Sequence, residues 1–235
     1  MSSGFQATPR EKTVLDDPKL KLYADQQTGG KGRPSLSLYY TSNNPRIDVY
    51  SNIPTDKDNG RIQAKISALV VSTMFTILED LVKPETPVNT AYSFGNLEYT
   101  FDNNRQRSDE PKLKSKLIMG KDDAGRIYLS VLSWDNDRPK IKFMFGLDQF
   151  HTLAKIENGK QVPLSDGEIS VLVAKGWLNQ VRGLYNVVAV DQYKHKTPGD
   201  KGGSGNNNGG GGYNRNNSAP APAASDGGFD DDLPF

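Results

Sequence analysis

The sequence predicts an α+β core in which short antiparallel strands are combined with amphipathic helices. Three observations predict this class. An internal repeat of about thirty residues occurs twice, several short segments alternate apolar and polar residues as half-buried strands do, and longer segments carry apolar residues at helical spacing. The chain has 235 residues and no cysteine, so its core has to form by apolar burial, without disulfides or thiolate metal sites.

The internal repeat relates two halves of the predicted core. Segment 16–21 (DDPKLK) returns at 109–114 (DEPKLK), and identities continue at the same offset of 93 as far as Arg138, which has no counterpart in the first copy. About twelve of some thirty-two aligned positions are identical. The repeat predicts a duplicated antiparallel strand–helix unit, with copies at about 16–83 and 109–157.

Each copy is predicted to contain three strands followed by a helix. Apolar residues alternate along every segment, and turn-forming Asn, Asp and Pro residues separate the segments. The strands are expected at about 19–24, 35–40 and 46–51 in the first copy and at 112–119, 126–134 and 140–146 in the second, with a further strand at about 94–101.

Three helices are predicted. The first covers about 61–83 and ends before Pro84, and the second starts near Asp148 and ends at Asn158-Gly159. A third starts at Ser165, where Ser165 and Glu168 form a capping-box pattern, and runs towards Gly176.

Charge divides the chain into a basic body and an acidic end. From Gly199 onward there are two basic and five acidic residues, a charge of −3, whereas the rest of the chain carries +4. Residues 196–228 are rich in Gly, Asn, Ser, Ala and Pro and can fill no core, so they are expected to form a disordered linker. We therefore expect a core at 1–195, this linker, and an acidic tip at 229–235.

The strand residues that are predicted to point away from the core combine cations with aromatic rings. Cations neutralise a phosphate backbone, and flat rings stack on unpaired bases of any sequence, so this surface is a candidate site for single-stranded DNA. A core role is the alternative for Trp134, because it ends a strand beside a turn. The candidate residues are Lys19, Lys21, Tyr23, Tyr39, Arg46, Tyr50, Lys112, Lys114, Lys116, Tyr128, Trp134, Lys140 and Lys142.

Little in the sequence can carry catalysis. The two histidines, His151 and His195, have no nucleophile pattern around them, and the glycine run at 209–212 lies in the predicted linker. The carboxylates lack the spacing of metal ligands. We therefore expect no enzyme activity, no catalytic residue, no metal site and no cofactor. No apolar run is long enough for a membrane span and the N-terminus has no apolar leader, so a cytoplasmic location is expected.

The last seven residues form the most specific motif of the chain. They are Phe229, Asp230, Asp231, Asp232, Leu233, Pro234 and Phe235. This end resembles the C-terminal tip of bacterial single-stranded DNA-binding proteins, which also follows a linker rich in Gly, Asn and Pro. The resemblance implies that the tip docks replication and repair proteins, with the Phe235 ring and carboxylate entering a pocket that has a basic rim.

The core resembles another family. Segment 141–153 (IKFMFGLDQFHTL) and the duplication are similar to the coactivator PC4 and the plant Whirly proteins. This resemblance covers about 112–157 and implies a PC4/Whirly-like arrangement, single-stranded DNA bound on the sheet surface, and assembly of copies through helices. The first copy departs from the pattern, because 52–59 intervene before its helix. The alternative is an OB-fold barrel with a long inserted helix.

These patterns predict a sequence-tolerant single-stranded DNA-binding protein, from a phage or a bacterium, which protects the strand and recruits replication, recombination or repair proteins. The alternative is a transcription or recombination regulator that acts on melted DNA or RNA. A third class, an enzyme or nuclease recruited by the tip, would need a catalytic set that the sequence does not offer. Assembly as a homo-oligomer is compatible with the first two.

Overall fold

The fold is described in a computed structural model of the chain, which covers residues 12–41, 43–101 and 106–194. These residues form three antiparallel sheets and two α-helices within one unit, so the predicted α+β class is confirmed. The predictions for His195, for the linker at 196–228 and for the tip at 229–235 lie outside the described residues.

The first sheet is an antiparallel meander in the order β1-β2-β3-β4. Its strands are β1 (Leu22–Tyr23), β2 (Ser35–Thr41), β3 (Asn44–Tyr50) and β4 (Arg61–Lys65). Side chains alternate between its two faces, and Leu36, Val49 and Ile62 are buried on the inner one. Two 3-10 helices, Val14–Asp16 and Pro18–Leu20, precede β1 and bury Leu15 and Leu20.

The second sheet is also a four-stranded antiparallel meander, in the order β5-β6-β7-β8. Its strands are β5 (Thr90–Glu98), β6 (Lys112–Lys121), β7 (Ile127–Ser133) and β8 (Phe143–Met144). Asp122 closes the turn between β6 and β7, because its carboxylate accepts backbone N–H bonds from Ala124 and Arg126 at 3.1 and 2.8 Å. Gly125 supplies the positive φ of 75° that this turn requires.

Two helices join the sheets in one apolar core. The helix α1 (Ala68–Leu81) follows the first sheet, and α2 (Asp166–Asp191) follows the second. The Ser165–Glu168 capping box is confirmed, although α2 continues past Gly176 to Asp191. The Ser170 hydroxyl accepts the Ile127 N–H at 2.9 Å and so fixes α2 to β7. Neither helix is long and apolar enough to cross a membrane.

The prediction of one helix over 61–83 is wrong at its start. Residues 61–65 form β4, a 3-10 helix (Lys57–Gly60) precedes this strand, and α1 begins only after Ser67, whose hydroxyl accepts the Val70 N–H. The alternation of Arg61, Ile62 and Gln63 is a strand pattern, which the longer helical stripe masks in the sequence.

The predicted helix at 148–157 is absent, and the chain forms a hairpin instead. Its strands are β9 (Ala154–Glu157) and β10 (Lys160–Pro163), joined by Asn158 and Gly159 with φ of 50° and 76°. Asn-Gly with two positive φ values is the favoured two-residue hairpin turn. Asp148 does cap a single turn, since its carboxylate accepts the Phe150 N–H at 2.9 Å, but no helix follows.

The strands that the internal repeat aligns do not match the two sheets strand for strand. The first sheet has four strands before α1, one more than the sequence predicts, whereas β5 to β8 of the second sheet correspond to the four predicted strands. At an offset of 93 or 94 residues, β1, β2 and β3 fall on β6, β7 and β8, but β4 falls on β9 of the hairpin and β5 has no counterpart. The OB-fold alternative requires one five-stranded barrel, but the described strands form two four-stranded sheets and one hairpin.

Candidate nucleic-acid interface

The outer face of the first sheet carries polar and aromatic side chains in cross-strand rows. We call it the first-sheet face. One row, set by the strand register, contains Tyr23, Ser35, Tyr50 and Arg61. The next contains Ser37, Asp48 and Gln63, and the third contains Tyr39, Arg46 and Lys65.

A hydrogen-bonded network around Asp48 organises this face. The Asp48 carboxylate is buried and accepts bonds from Arg61 Nε at 2.8 Å and from Gln63 Nε2 at 2.9 Å. Arg61 Nη2 and Gln63 Nε2 also donate to the Tyr39 hydroxyl, both at 2.8 Å. Arg46 Nη1 extends the network by donating to Gln63 Oε1 at 2.7 Å. Because each side chain is held by at least one neighbour, the donors are preorganised on a rigid sheet.

Tyr39 was predicted as a stacking residue, and its environment contradicts that role. Its side chain points to the outer face but is only 3% exposed. The 3-10 helix Val14–Asp16 packs against β2. Burial and the nearby Asp48 carboxylate raise the pKa of the Tyr39 hydroxyl. Tyr39 therefore belongs to the network and offers no free ring.

The two other predicted tyrosines of this face do present their rings. Tyr23 and Tyr50 are 40% and 39% exposed. They lie on strands β1 and β3, separated only by β2, and the Arg33 guanidinium lies 5.8 Å from the Tyr23 ring centroid. Lys19, from the same prediction, is exposed beside β1, and Lys21 is half-buried.

An open groove of about 860 Å³ runs over the first-sheet face. The 3-10 helical segment forms one wall and the network forms the floor. The volume lies in the range of ligand-binding clefts. Its lining carries four cationic side chains, Lys12, Lys21, Arg46 and Arg61, and three carboxylates, Asp16, Asp17 and Asp48.

The outer face of the second sheet is a row of lysines beside a tryptophan. We call it the second-sheet face. Lys112, Lys114 and Lys116 alternate along β6 and are all exposed, as predicted. The backbone N–H of Trp134 donates to the Lys114 carbonyl at 3.0 Å, which fixes the tryptophan beside this row.

Trp134 is 66% exposed, so the alternative that it belongs to the core is wrong. Its side chain, together with Lys116 and Lys140, lines a depression of about 220 Å³. Leu132 forms part of the same wall and lies directly opposite Lys116 on the neighbouring strand. An exposed tryptophan and two lysines therefore line the same depression at one end of the second-sheet face.

Tyr128 was also predicted to stack on bases, but its ring is covered. It is buried against Gly120 of the neighbouring strand, where an added Cβ would lie 2.6 Å from the Tyr128 hydroxyl. The Lys142 ammonium lies over the Tyr128 ring, 4.6 Å from its centroid. Tyr128 therefore fixes Lys142 on the surface by a cation–π contact and does not act as a platform.

An ion pair joins the two faces. Lys65 Nζ, in the third row of the first-sheet face, lies 2.7 Å from Glu98 Oε2 on β5. Glu98 is opposite Lys112 in the register of the second sheet. Burial opposes ionisation of Glu98, but the hydrogen bond and charge of Lys65, the hydrogen bond from Asn96 and the charge of Lys114 together outweigh it and lower the pKa of this carboxyl. The charged side chains therefore continue from one sheet face to the other.

The sequence prediction missed Asp48, Arg61, Gln63 and Lys65. Three of them lie on β4, which falls in the predicted helix 61–83. The alternation of polar and apolar residues along 61–65 is the sequence signal that indicates a strand there. Asp48 was missed because a buried carboxylate is recognisable only when its partners are known.

Groups suited to catalysis or to metal binding are scarce. His151 is exposed beside Asp148, with Nδ1 2.6 Å from the carboxylate. Within the described ranges no group of three or more His, Asp or Glu residues could hold a metal ion. Comparison with protein-family models, with curated proteins and with solved structures finds no match to this chain.

Proposed function

We propose that this protein binds single-stranded DNA with little sequence preference, through the first-sheet and second-sheet faces, and acts without enzymatic chemistry. The two components that such binding requires are backbone-neutralising cations and accessible rings. Both faces offer them, although with fewer rings than the sequence predicted.

The observation that carries this proposal is the exposed indole of Trp134, which lines one depression together with Lys116 and Lys140. A large aromatic side chain that remains two-thirds exposed forgoes the gain of burial, which favours a binding role over a structural one. Lys112 and Lys114 continue the cationic surface along β6, as a strand of phosphates would require.

The first-sheet face supports the proposal independently. Tyr23 and Tyr50 offer rings, and the groove beside them is lined by Arg46 and Arg61. A nucleotide whose base stacks on one of these rings would contact the Arg46 and Arg61 guanidinium groups through its base edge or its phosphate.

The strand order supports a duplicated PC4/Whirly-like arrangement as the fold. Two four-stranded meanders are each followed by a helix, with the β9–β10 hairpin inserted before the second helix. A duplicated unit would give one chain two sheet surfaces for one strand of DNA.

The acidic tip at 229–235 completes the proposal as the docking segment for replication, recombination or repair proteins. Its aspartates repel a phosphate backbone, so it serves a protein partner and not the DNA. We place this activity in the cytoplasm of a bacterium or of a phage-infected host.

Fluorescence polarisation with labelled oligonucleotides tests DNA binding. Oligo(dT) is expected to bind well above a duplex of equal length, and the affinity is expected to fall as salt rises. Equal or tighter binding of the duplex would refute the proposal. An RNA oligonucleotide in the same assay separates it from a regulator of RNA, which would bind RNA at least as tightly as oligo(dT).

The tip needs a separate assay, a pull-down with a host protein that recognises bacterial tips of this kind. Deletion of 229–235 and the Phe235→Ala variant are both expected to abolish capture, while oligo(dT) affinity stays equal or rises slightly at low salt. Normal capture by Phe235→Ala, or loss of DNA binding on deletion, would contradict the division of roles.

A further inference from the structure

The β9–β10 hairpin buries neither of its faces. Seven of its eight strand residues are exposed, and Ala154 is half-buried. Phe150 before the hairpin is 80% exposed and Ile156 within it is 75% exposed. A lone two-stranded hairpin is marginally stable in water, and a concentration of exposed apolar side chains marks an interaction surface. This hairpin therefore presents a candidate interaction surface.

The backbone of the hairpin offers one open edge. Glu157 and Lys160 flank the two-residue turn and are paired, so the next pair, Ile156 and Gln161, directs its N–H and C=O groups outward. On β10 the following outward position is Pro163, which has no N–H to donate. Because this proline prevents regular pairing along β10, β9 is the edge strand that can accept another strand.

We propose that β9 pairs antiparallel with β9 of a second copy of this chain, about a two-fold axis that passes midway between the two Ile156 residues. The two strands and their hairpins would then form one continuous four-stranded sheet between the copies. Ile156 would face Ile156 of the second copy and exchange both backbone hydrogen bonds with it.

The charges on β9 are complementary to those on β9 of a second copy, which favours a second copy as the partner. In this register Lys155 lies opposite Glu157 of the second copy, and Glu157 lies opposite its Lys155. Within one chain these two side chains already form an ion pair on one face of β9. Opposite charges directly across two strands stabilise the pairing, and the same two residues satisfy both halves of a symmetric contact.

The molar mass of the full chain, measured by light scattering after gel filtration without nucleic acid, tests the pairing. The wild-type chain is expected at twice its monomer mass. Ile156→Asn, which places a polar side chain at the two-fold axis, is expected at the monomer mass. Val162→Asn makes a matched change on the blunted strand β10 and is expected to leave the dimer intact. A monomeric wild-type chain would overturn the proposal.

Charge reversals separate pairing from misfolding. Lys155→Glu and Glu157→Lys each place like charges across the two-fold axis, so each variant alone is expected to be monomeric. In an equimolar mixture the two variants regain opposite charges at both contacts, and the dimer mass is expected to return. A dimer that both reversals leave unchanged, or a mixture that stays monomeric, would overturn the proposal. These outcomes are independent of DNA binding.

Discussion

Arg138 holds Asp56 in a buried, two-pronged ion pair, with Nε 3.0 Å from one carboxylate oxygen and Nη2 3.2 Å from the other. Nη2 also donates to the Lys57 carbonyl and Nη1 to Asp58. Arg138 lies in the turn between β7 and β8, whereas 56–58 precede β4. The residue that interrupts the internal repeat therefore connects the two sheet units.

Removal of this guanidinium is expected to destabilise the fold strongly. Arg138→Met leaves the buried Asp56 carboxylate without its cationic partner, which costs about 3–5 kcal/mol of unfolding free energy. Asp58→Asn is the control, because Asp58 is mostly exposed and its pair contributes only about 0–1 kcal/mol. Urea unfolding followed by circular dichroism measures both. Equal effects of the two substitutions would contradict the role of the buried pair.

The same pair predicts a pH dependence of stability. Burial opposes ionisation of Asp56, but the hydrogen bonds from Arg138 and Ser51 and the charge of Arg138 lower its pKa below the ordinary 3.8. A lowered folded-state pKa adds stability that is present above 3.8 and is lost as the pH falls through the folded value. The gap in unfolding free energy between wild type and Asp56→Asn should therefore shrink in acid. A gap that is constant from about pH 7 to pH 3 would argue against this assignment.

The lysine row of the second-sheet face is expected to set the salt dependence of DNA binding. Lys112→Ala combined with Lys114→Ala should weaken binding to all sequences alike. If both lysines neutralise phosphates, the slope of log affinity against log salt should decrease by about 1.4, at about 0.7 per contact for single strands. Lys175→Ala, an exposed lysine on α2, is the control. Polarisation titrations over a range of salt measure the slope, and an unchanged slope would exclude these lysines.

Tyr50 and Tyr39 are expected to differ although they occupy the same sheet face. Tyr50→Ala removes an exposed ring and should reduce oligo(dT) affinity by about 1–3 kcal/mol if a base stacks there, with little change in unfolding free energy. Tyr39→Phe removes one of the two acceptors that Arg61 and Gln63 share, while Asp48 still accepts from both, so it should lower stability by about 0.5–1.5 kcal/mol. Oligo(dT) affinity and unfolding free energy are measured for both variants. A Tyr50→Ala protein that binds oligo(dT) normally would exclude stacking at that ring.

The sequence supports the fold where a local rule decides the structure. The Ser165–Glu168 capping box and the alternation along β2, β3, β6 and β7 correctly indicate a helix start and strands. The sequence pattern misleads where the spacing of apolar residues fits both a helix and a strand. Phe150, Leu153 and Ile156 have helical spacing, yet the Asn158-Gly159 turn makes the segment a hairpin.

The candidate site is predictable only in part, for the same reason. Alternation correctly places Lys112, Lys114 and Lys116 on the outside, because the pleat alone decides it. Exposure also depends on tertiary neighbours. Tyr39 and Tyr128 point outward but are covered, and no local pattern shows that Lys142 lies over a ring.

Trp134 provides the most direct test of DNA binding. The chain has two tryptophans, and the second, Trp177, is half-buried against the core, where it donates its Nε1–H to the Leu20 carbonyl at 2.8 Å and packs edge-on against Phe145. In a Trp177→Phe variant the fluorescence therefore reports Trp134 alone. Titration with oligo(dT) is expected to quench this fluorescence, and Trp134→Ala in the wild-type background should lose about 1–3 kcal/mol of affinity, roughly 5- to 150-fold. If oligo(dT) binds without changing the fluorescence of Trp134, and Trp134→Ala binds as tightly as wild type, the proposed interface is wrong.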